Sequence, residues 1–221
     1  MKRAALLVVL LLAGCGGAGE EEGTARLWVT RDRGATVLVD AEVRAGQTLM
    51  RALAAETDVE TRYGGRFLQS LNGIEGDQAD QRDWFWFVNG YEGDRSATEY
   101  RLRAGDVAWW DYRAWDREGE ARVVIGAFPE PFLHGYQGKT RRAVVRHDAA
   151  SARRGSRLGK AIDAESVAPL GTPVPAGANV LEVRSGPTRM TAELVGESAG
   201  DPVRFVVGGS PVRFEHRFEV P

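Results

Sequence analysis

The chain has 221 residues, room for one or two domains with a sizeable core. With 43% apolar and 27% charged side chains it is neither a disordered chain nor a multispanning membrane protein. Its 29 basic and 31 acidic groups leave a formal net charge of -2, so charge gives no ground for a nucleic-acid partner, and a single cysteine excludes both an intramolecular disulfide framework and a zinc site of several thiolates.

Met1, Lys2 and Arg3 make a short basic start, and Ala4 to Ala13 is an unbroken apolar run. The run is shorter than the roughly 20 residues a spanning helix needs and suits the apolar core of a secretory signal. It ends Leu12-Ala13-Gly14-Cys15-Gly16, which resembles the bacterial lipobox, where small residues precede a cysteine that is lipidated and becomes the mature N-terminus. The resemblance implies a signal peptide of residues 1–14, a lipid anchor at Cys15 and an extracytoplasmic place on the cell membrane. Residues 15–24, glycine-rich and without large apolar side chains, read as a flexible tether.

All six tryptophans lie between positions 28 and 115, and the chain beyond 118 is rich in Gly, Pro, Val and Arg. The polar stretch Asp116 to Glu120 therefore marks a boundary between a first domain, 25–118, and a second, 119–221. In the first, Arg26 to Thr30 and Ala35 to Val43 are strands joined by a turn at Arg31 to Gly34. Thr48 is a helix N-cap, and Leu49, Leu53 and Ala54 carry helical spacing to about Glu56. Val59 to Tyr63, Phe67 to Leu71, Trp84 to Val88 and Val107 to Trp115 read as strands, with tight turns at Asn72-Gly73 and Asn89-Gly90. A hairpin, one helix and several further strands make a β-grasp-like α+β unit.

The series Ala45-Gly46-Gln47-Thr48, Tyr63-Gly64-Gly65, Leu71-Asn72-Gly73-Ile74, Trp84-Phe85-Trp86-Phe87-Val88-Asn89-Gly90 and Ala104-Gly105-Asp106 with Trp109-Trp110-Asp111-Tyr112 resembles the transcobalamin-type C-terminal domain family. The resemblance covers about residues 25–116. It implies a β-grasp-like module and a cobalamin or related corrinoid as ligand; nothing in the chain resembles the all-α domain that accompanies this module in vitamin B12 carriers.

In the second domain, Ala121 to Phe128 reads as a strand ended by prolines, and Ala143 to Arg146 as another. Asp148 caps a helix to Ile162 that Gly155 and Gly159 weaken. Val167 to Gly177 is a loop or edge; Asn179 to Arg184, Arg189 to Val195 and Val203 to Val207 are strands, with a turn at Gly208 to Pro211. This is a small α/β or α+β unit.

Alternation along the aromatic strands puts Trp84, Trp86 and Val88 on one face and Phe85 and Phe87 on the other, with Trp110 and Tyr112 opposed to Trp109 and Trp115. Exposed, these rings form a flat aromatic platform for a large planar ligand, and Trp84, Trp86, Asn89, Tyr91, Trp109, Trp110, Tyr112 and Trp115 are the candidate ligand-binding residues. Buried, they form a core and an interface with the second domain. A protein-interaction module anchored on Trp84, Trp86 and Trp109 is the alternative.

No catalytic motif is present, so the chain reads as a non-enzymatic binding module without a cofactor. Catalysis in residues 119–221 has only Glu130, His134, His147 and Asp148 as candidates by type, and Ser151 and Ser156 lack an identifiable base. His134, His147 and His216 have no metal-ligand spacing, and Asp77, Asp80 and Asp83 lack the calcium-loop pattern. Lys139 to Lys160 holds eight basic residues against Asp148 alone. It reads as a solvated face, or as a surface for anionic lipid, an acidic cell-wall polymer or an acidic partner.

Overall fold

The computed structural model describes residues 22–115 and 122–209. The signal peptide, Cys15, most of the tether, the boundary at 116–120, the end of the 208–211 turn and His216 lie outside the described residues.

The architecture is mixed α+β, rich in sheet, with two α-helices among the described residues. β1 (Thr24–Arg31) and β2 (Thr36–Arg44) form the expected antiparallel hairpin. Thr24, assigned to the tether by sequence, already pairs with Arg44. α1 (Leu49–Glu56) starts where the Thr48 hydroxyl accepts from the Arg51 amide, 3.3 Å. It buries Leu49, Met50, Ala52 and Leu53, the apolar stripe of its two turns.

β3 (Val59–Arg62), β4 (Phe67–Leu71) and β5 (Ile74–Glu75) form a separate three-stranded antiparallel sheet. β6 (Arg82–Val88), β7 (Tyr91–Glu92) and β8 (Val107–Ala114) complete a five-stranded sheet of order β2-β1-β8-β6-β7, with β8 parallel to β1. The turn between β6 and β7 holds Asn89 and Gly90 at φ 51° and 81°. Asn-Gly is the pair that tolerates two successive positive φ values, so this hairpin is set locally.

The expected strand Ala121 to Phe128 does not form. Tyr91 makes an isolated bridge to Val123, and the chain then folds into a 3₁₀ turn, Ile125–Ala127. Val123, Val124, Ile125 and Phe128 are buried, so packing against the first sheet replaces strand pairing here.

The second sheet contains β9 (Ala143–His147), β10 (Ser166–Pro169), β11 (Asn179–Arg184), β12 (Arg189–Leu194) and β13 (Val203–Gly208) in the order β10-β9-β11-β13-β12. β9, β10, β11 and β13 are parallel and β12 is antiparallel. Asp148 caps a 3₁₀ turn, Ala149–Ser151, before α2 (Ala152–Ala161) begins. Gly155 and Gly159, the two glycines of α2, are also where the helix meets the sheet. A Cβ on Gly159 would sit 2.6 Å from Val167, closer than side chains tolerate, and one on Gly155 3.1 Å from His147, a tight fit, so the glycines let α2 lie this close to the sheet.

The segment between the sheets joins the two halves. Rings of Tyr91, Tyr100 and Tyr136 pack at 5.1–5.9 Å, and Phe132 meets Phe205 of β13 edge-on at 5.1 Å. One buried apolar cluster runs from Leu27 and Trp110 to Phe205 and Val207.

Candidate functional site

Register fixes the faces of the aromatic strands: Trp84 stands opposite Tyr112, Trp86 opposite Trp110 and Phe87 opposite Trp109. Trp84, Trp110 and Tyr112 join the core under α1 and β4. On the reverse face Trp28, Phe87, Trp109 and Val124 form a second cluster, with the Arg113 guanidinium 4.7 Å from the Phe87 ring centre and 5.3 Å from that of Trp109.

The open platform is therefore corrected. Of the eight candidate residues, Trp84, Asn89, Tyr91, Trp109, Trp110 and Tyr112 are buried, and only Trp86 and Trp115 are half-buried. Strand periodicity assigned the two faces, but α1 and the three-stranded sheet cover one of them, and no periodicity reports that. Asn89 is a structural bracket: its side-chain oxygen accepts from the Val107 amide at 2.8 Å, and its amide donates to Asp106 at 2.7 Å and to the Gly135 carbonyl at 3.1 Å. The Tyr91 hydroxyl donates to the Asp201 carbonyl, 3.1 Å, tying β7 to the second sheet.

One part of the first face stays open. Trp84, Trp86 and Trp110 line a cleft of about 390 Å³ with Met50 of α1, Phe67 and Leu68 of β4, and the segment from Glu92 to Ala97. The Trp86 ring lies against Gly93, where a Cβ would come 2.0 Å from it. Trp110 is 2% exposed, and its indole N–H is buried without an acceptor among the described residues. An unmet buried donor costs roughly 1–3 kcal/mol. The Trp84 indole, by contrast, donates to the Ile74 carbonyl at 2.9 Å.

The cations at the rim are compensated. Arg66 pairs with Glu99, and Arg95 pairs with Asp94 at 2.8 Å. The Arg95 guanidinium holds the Asp94 carboxyl below its ordinary value against the opposing pull of burial. Beyond the rim Tyr63, 79% exposed, meets Phe67 edge-on at 6.3 Å. Sequence reasoning missed Met50, Phe67, Leu68 and Gly93. The usable signal was Phe67, a large apolar residue on the outward phase of a short strand.

The candidates by type have structural partners. His134 Nδ1 lies 2.8 Å from Glu130, whose carboxylate also accepts the His134 amide at 2.7 Å. Burial pushes Glu130 and Asp106 above ordinary carboxylate values, opposed for Glu130 first by the His134 hydrogen bond and for Asp106 first by the Arg103 amide. Neither residue lines the cleft. Asp148 accepts from Ser151 and Ser185, and His147 Nδ1 lies 2.9 Å from the Asp148 carbonyl. Among the described residues no three His, Cys, Asp or Glu gather as a metal site, and no helix is long and apolar enough to cross a membrane.

The chain is thus a sheet-rich α+β protein with an aromatic-lined cleft on its first sheet. Residues 46–114, which contain every residue lining the cleft, match a family described as a domain of unknown function, DUF4430. A search of curated proteins finds no match. Among solved structures, the chain is similar to a protein of Ruminococcus gnavus, provisionally described as metal-binding, at 19% identity and a TM-score of 0.37 over 43% of this chain and all of that one. It is also similar to haptocorrin, solved in complex with Cbi, at 15% identity and a TM-score of 0.34 over 46% of this chain and 28% of haptocorrin.

Proposed function

We propose that the chain is a ligand-binding module whose ligand enters the Trp84–Trp86–Trp110 cleft and accepts the Trp110 N–H. That unmet donor is the observation that carries the reading: a buried polar group without a partner is rare in native proteins, and a ligand carbonyl that reaches it through a small shift of the cleft wall supplies the missing acceptor. The walls are aromatic and apolar, and the rim arginines are neutralised by their own carboxylates. This favours a largely neutral ligand with a flat apolar body and amide or carbonyl groups at its edge. A corrinoid, whose macrocycle carries carboxamides, has that chemistry. The β1–β2 hairpin, α1, and β8 parallel beside β1 support reading the first unit as β-grasp-like and of the transcobalamin C-terminal type.

At about 390 Å³ the cleft lies at the small end of ligand sites, roughly 300–1,000 Å³. It grips one edge of a macrocycle, so micromolar binding is expected, about 8 kcal/mol. The test is a titration of the purified protein with cobalamin, followed by tryptophan fluorescence. Saturable quenching that weakens about tenfold in Trp110→Phe supports the assignment; no saturable quenching up to roughly 100 μM overturns it for a corrinoid.

We also propose that this module lies outside the cytoplasm, held to the membrane through Cys15. Cys15→Ser should move the protein from the membrane fraction to the soluble one. A wild-type protein that is soluble and retains residues 1–14 by mass rejects the anchor.

A further inference from the structure

The structure separates seven of the eight basic residues between Lys139 and Lys160 into two groups, and Lys139, exposed, lies before β9 and outside both. Arg146 is buried and spends its guanidinium on the carbonyls of Val145, Thr172 and Pro173 and on the Ser166 hydroxyl. Arg141 donates to the Gly200 carbonyl and lies 3.6 Å from Asp201, and Arg142 lies 3.7 Å from Glu165. These three have fold-building partners. The cations of α2 differ. Arg153, Arg157 and Lys160 are exposed, and among the described residues no carboxylate pairs with any of them. Spacings of four and three residues set them in one stripe along the helix.

α2 carries no acidic residue, although its first turn is where acids are favoured by the helix dipole. Arg153 and Arg154 stand there instead. Arg154 is half-buried beside the stripe and donates to the Gly209 carbonyl, but its second terminal nitrogen is buried without an acceptor. Burial, then Arg157, lowers its guanidinium from the ordinary value. Of the acids that flank α2, Asp148 is occupied by Ser151 and Ser185, Glu165 lies beside Arg142, and Asp163 makes no ion pair with the stripe among the described residues. Like charges are therefore crowded on one helix with no internal compensation, a local conflict that an external anion relieves.

We propose that the outer face of α2, through Arg153, Arg157 and Lys160, docks on an anionic phospholipid surface. Charge complementarity selects an anion. The form of the stripe fits a surface: beside the cations α2 exposes Ser156 and Ala161, while its large apolar residue, Leu158, is half-buried against the core rather than offered as an anchor of the kind protein partners use. A row of point charges on a convex helix reads charge density, which a headgroup layer supplies over its whole area. The inference is independent of the ligand assigned to the cleft.

The experiment is co-sedimentation of the full chain carrying Cys15→Ser with vesicles of phosphatidylcholine alone or with 30% phosphatidylglycerol. The leader, with Lys2 and Arg3, is the same in every variant, so the share of α2 is read as the difference between variants on the anionic vesicles. The anionic vesicles should bind more protein, and the excess should fall as salt rises from 50 to 300 mM. Each cation near such a surface is worth roughly a fivefold factor, so Arg153→Ala with Arg157→Ala should weaken the excess roughly 25-fold. Both sites are exposed and alanine favours helix, so circular dichroism should be unchanged. Replacing both by lysine should keep binding within about twofold. Equal binding to both vesicle types, an inert double-alanine variant, or loss of binding in the double-lysine variant each overturns the proposal. Retention by soluble polyglutamate without vesicle binding overturns it in favour of an acidic macromolecule.

Discussion

Trp110 and Gly93 show how single side chains decide the cleft. Trp110 is buried between Trp86 and the core, and only its N–H lacks a partner. Trp110→Phe removes that donor and shrinks the ring, two effects that oppose each other. Unfolding by denaturant should therefore show a change of about 1 kcal/mol or less, far below the usual cost of truncating a buried aromatic. Gly93→Ala should behave differently. Its Cβ would overlap the Trp86 ring, so the indole must swing away, at about 1–3 kcal/mol and with loss of the cleft wall. A shifted Trp86 emission together with a lower denaturation midpoint is the expected signature.

At the scale of elements, buried carboxylates pull the pH dependence in two directions. Asp106, at the start of β8, and Glu130, in the segment packed on it, have folded values raised above the ordinary 3.8 and 4.5 by burial. The folded state then binds more protons than the unfolded one between the ordinary and the raised values, so stability falls as pH rises through that window. Asp148, the cap before α2, is lowered by the Ser185 amide and hydroxyl. Burial acts to raise Glu182, but Arg184 and Arg204 hold it below its ordinary value. For these two the folded state binds fewer protons, and stability is lost as pH drops below the ordinary carboxyl range. The denaturation midpoint should thus peak at mildly acidic pH. Asp106→Asn keeps an acceptor for the Arg103 amide but turns its NH2 toward the Asn89 amide, so it should lower the midpoint at every pH while flattening the decline on the neutral side.

The whole molecule is held together by the segment between the two sheets. Tyr91, Tyr100 and Tyr136 stack at one end of it, and Phe132 inserts against Phe205 at the other. A continuous core predicts one cooperative transition. All six tryptophans lie in the first half, so their fluorescence reports that half alone while circular dichroism reports both. Coincident curves are expected, and Phe132→Ala should lower both together by about 3–5 kcal/mol. Separate transitions would show that the halves fold independently.

Local chemistry made much of this architecture legible without coordinates. The Thr48 cap, the two-turn apolar stripe of α1, the Asn89-Gly90 turn and the alternation along β6 and β8 all depend on residues within a few positions of one another, and the structure has them where local rules put them. The strand expected at 121–128 failed because its residues found burial against a surface more than 30 positions upstream. The candidate residues Trp109, Trp110 and Tyr112 were correctly placed on opposite faces, yet which face stays open depends on α1 and the β3–β4–β5 sheet folding over it. The cleft draws on Met50, Phe67, Trp86, Gly93 and Trp110, residues that share no period and meet only through long-range packing. The charge run from 139 to 160 is likewise uniform in sequence. Tertiary contacts divide it, giving Arg146 carbonyls in the interior and leaving Arg153, Arg157 and Lys160 facing water, because burial of a cation requires acceptors that only a folded neighbour supplies.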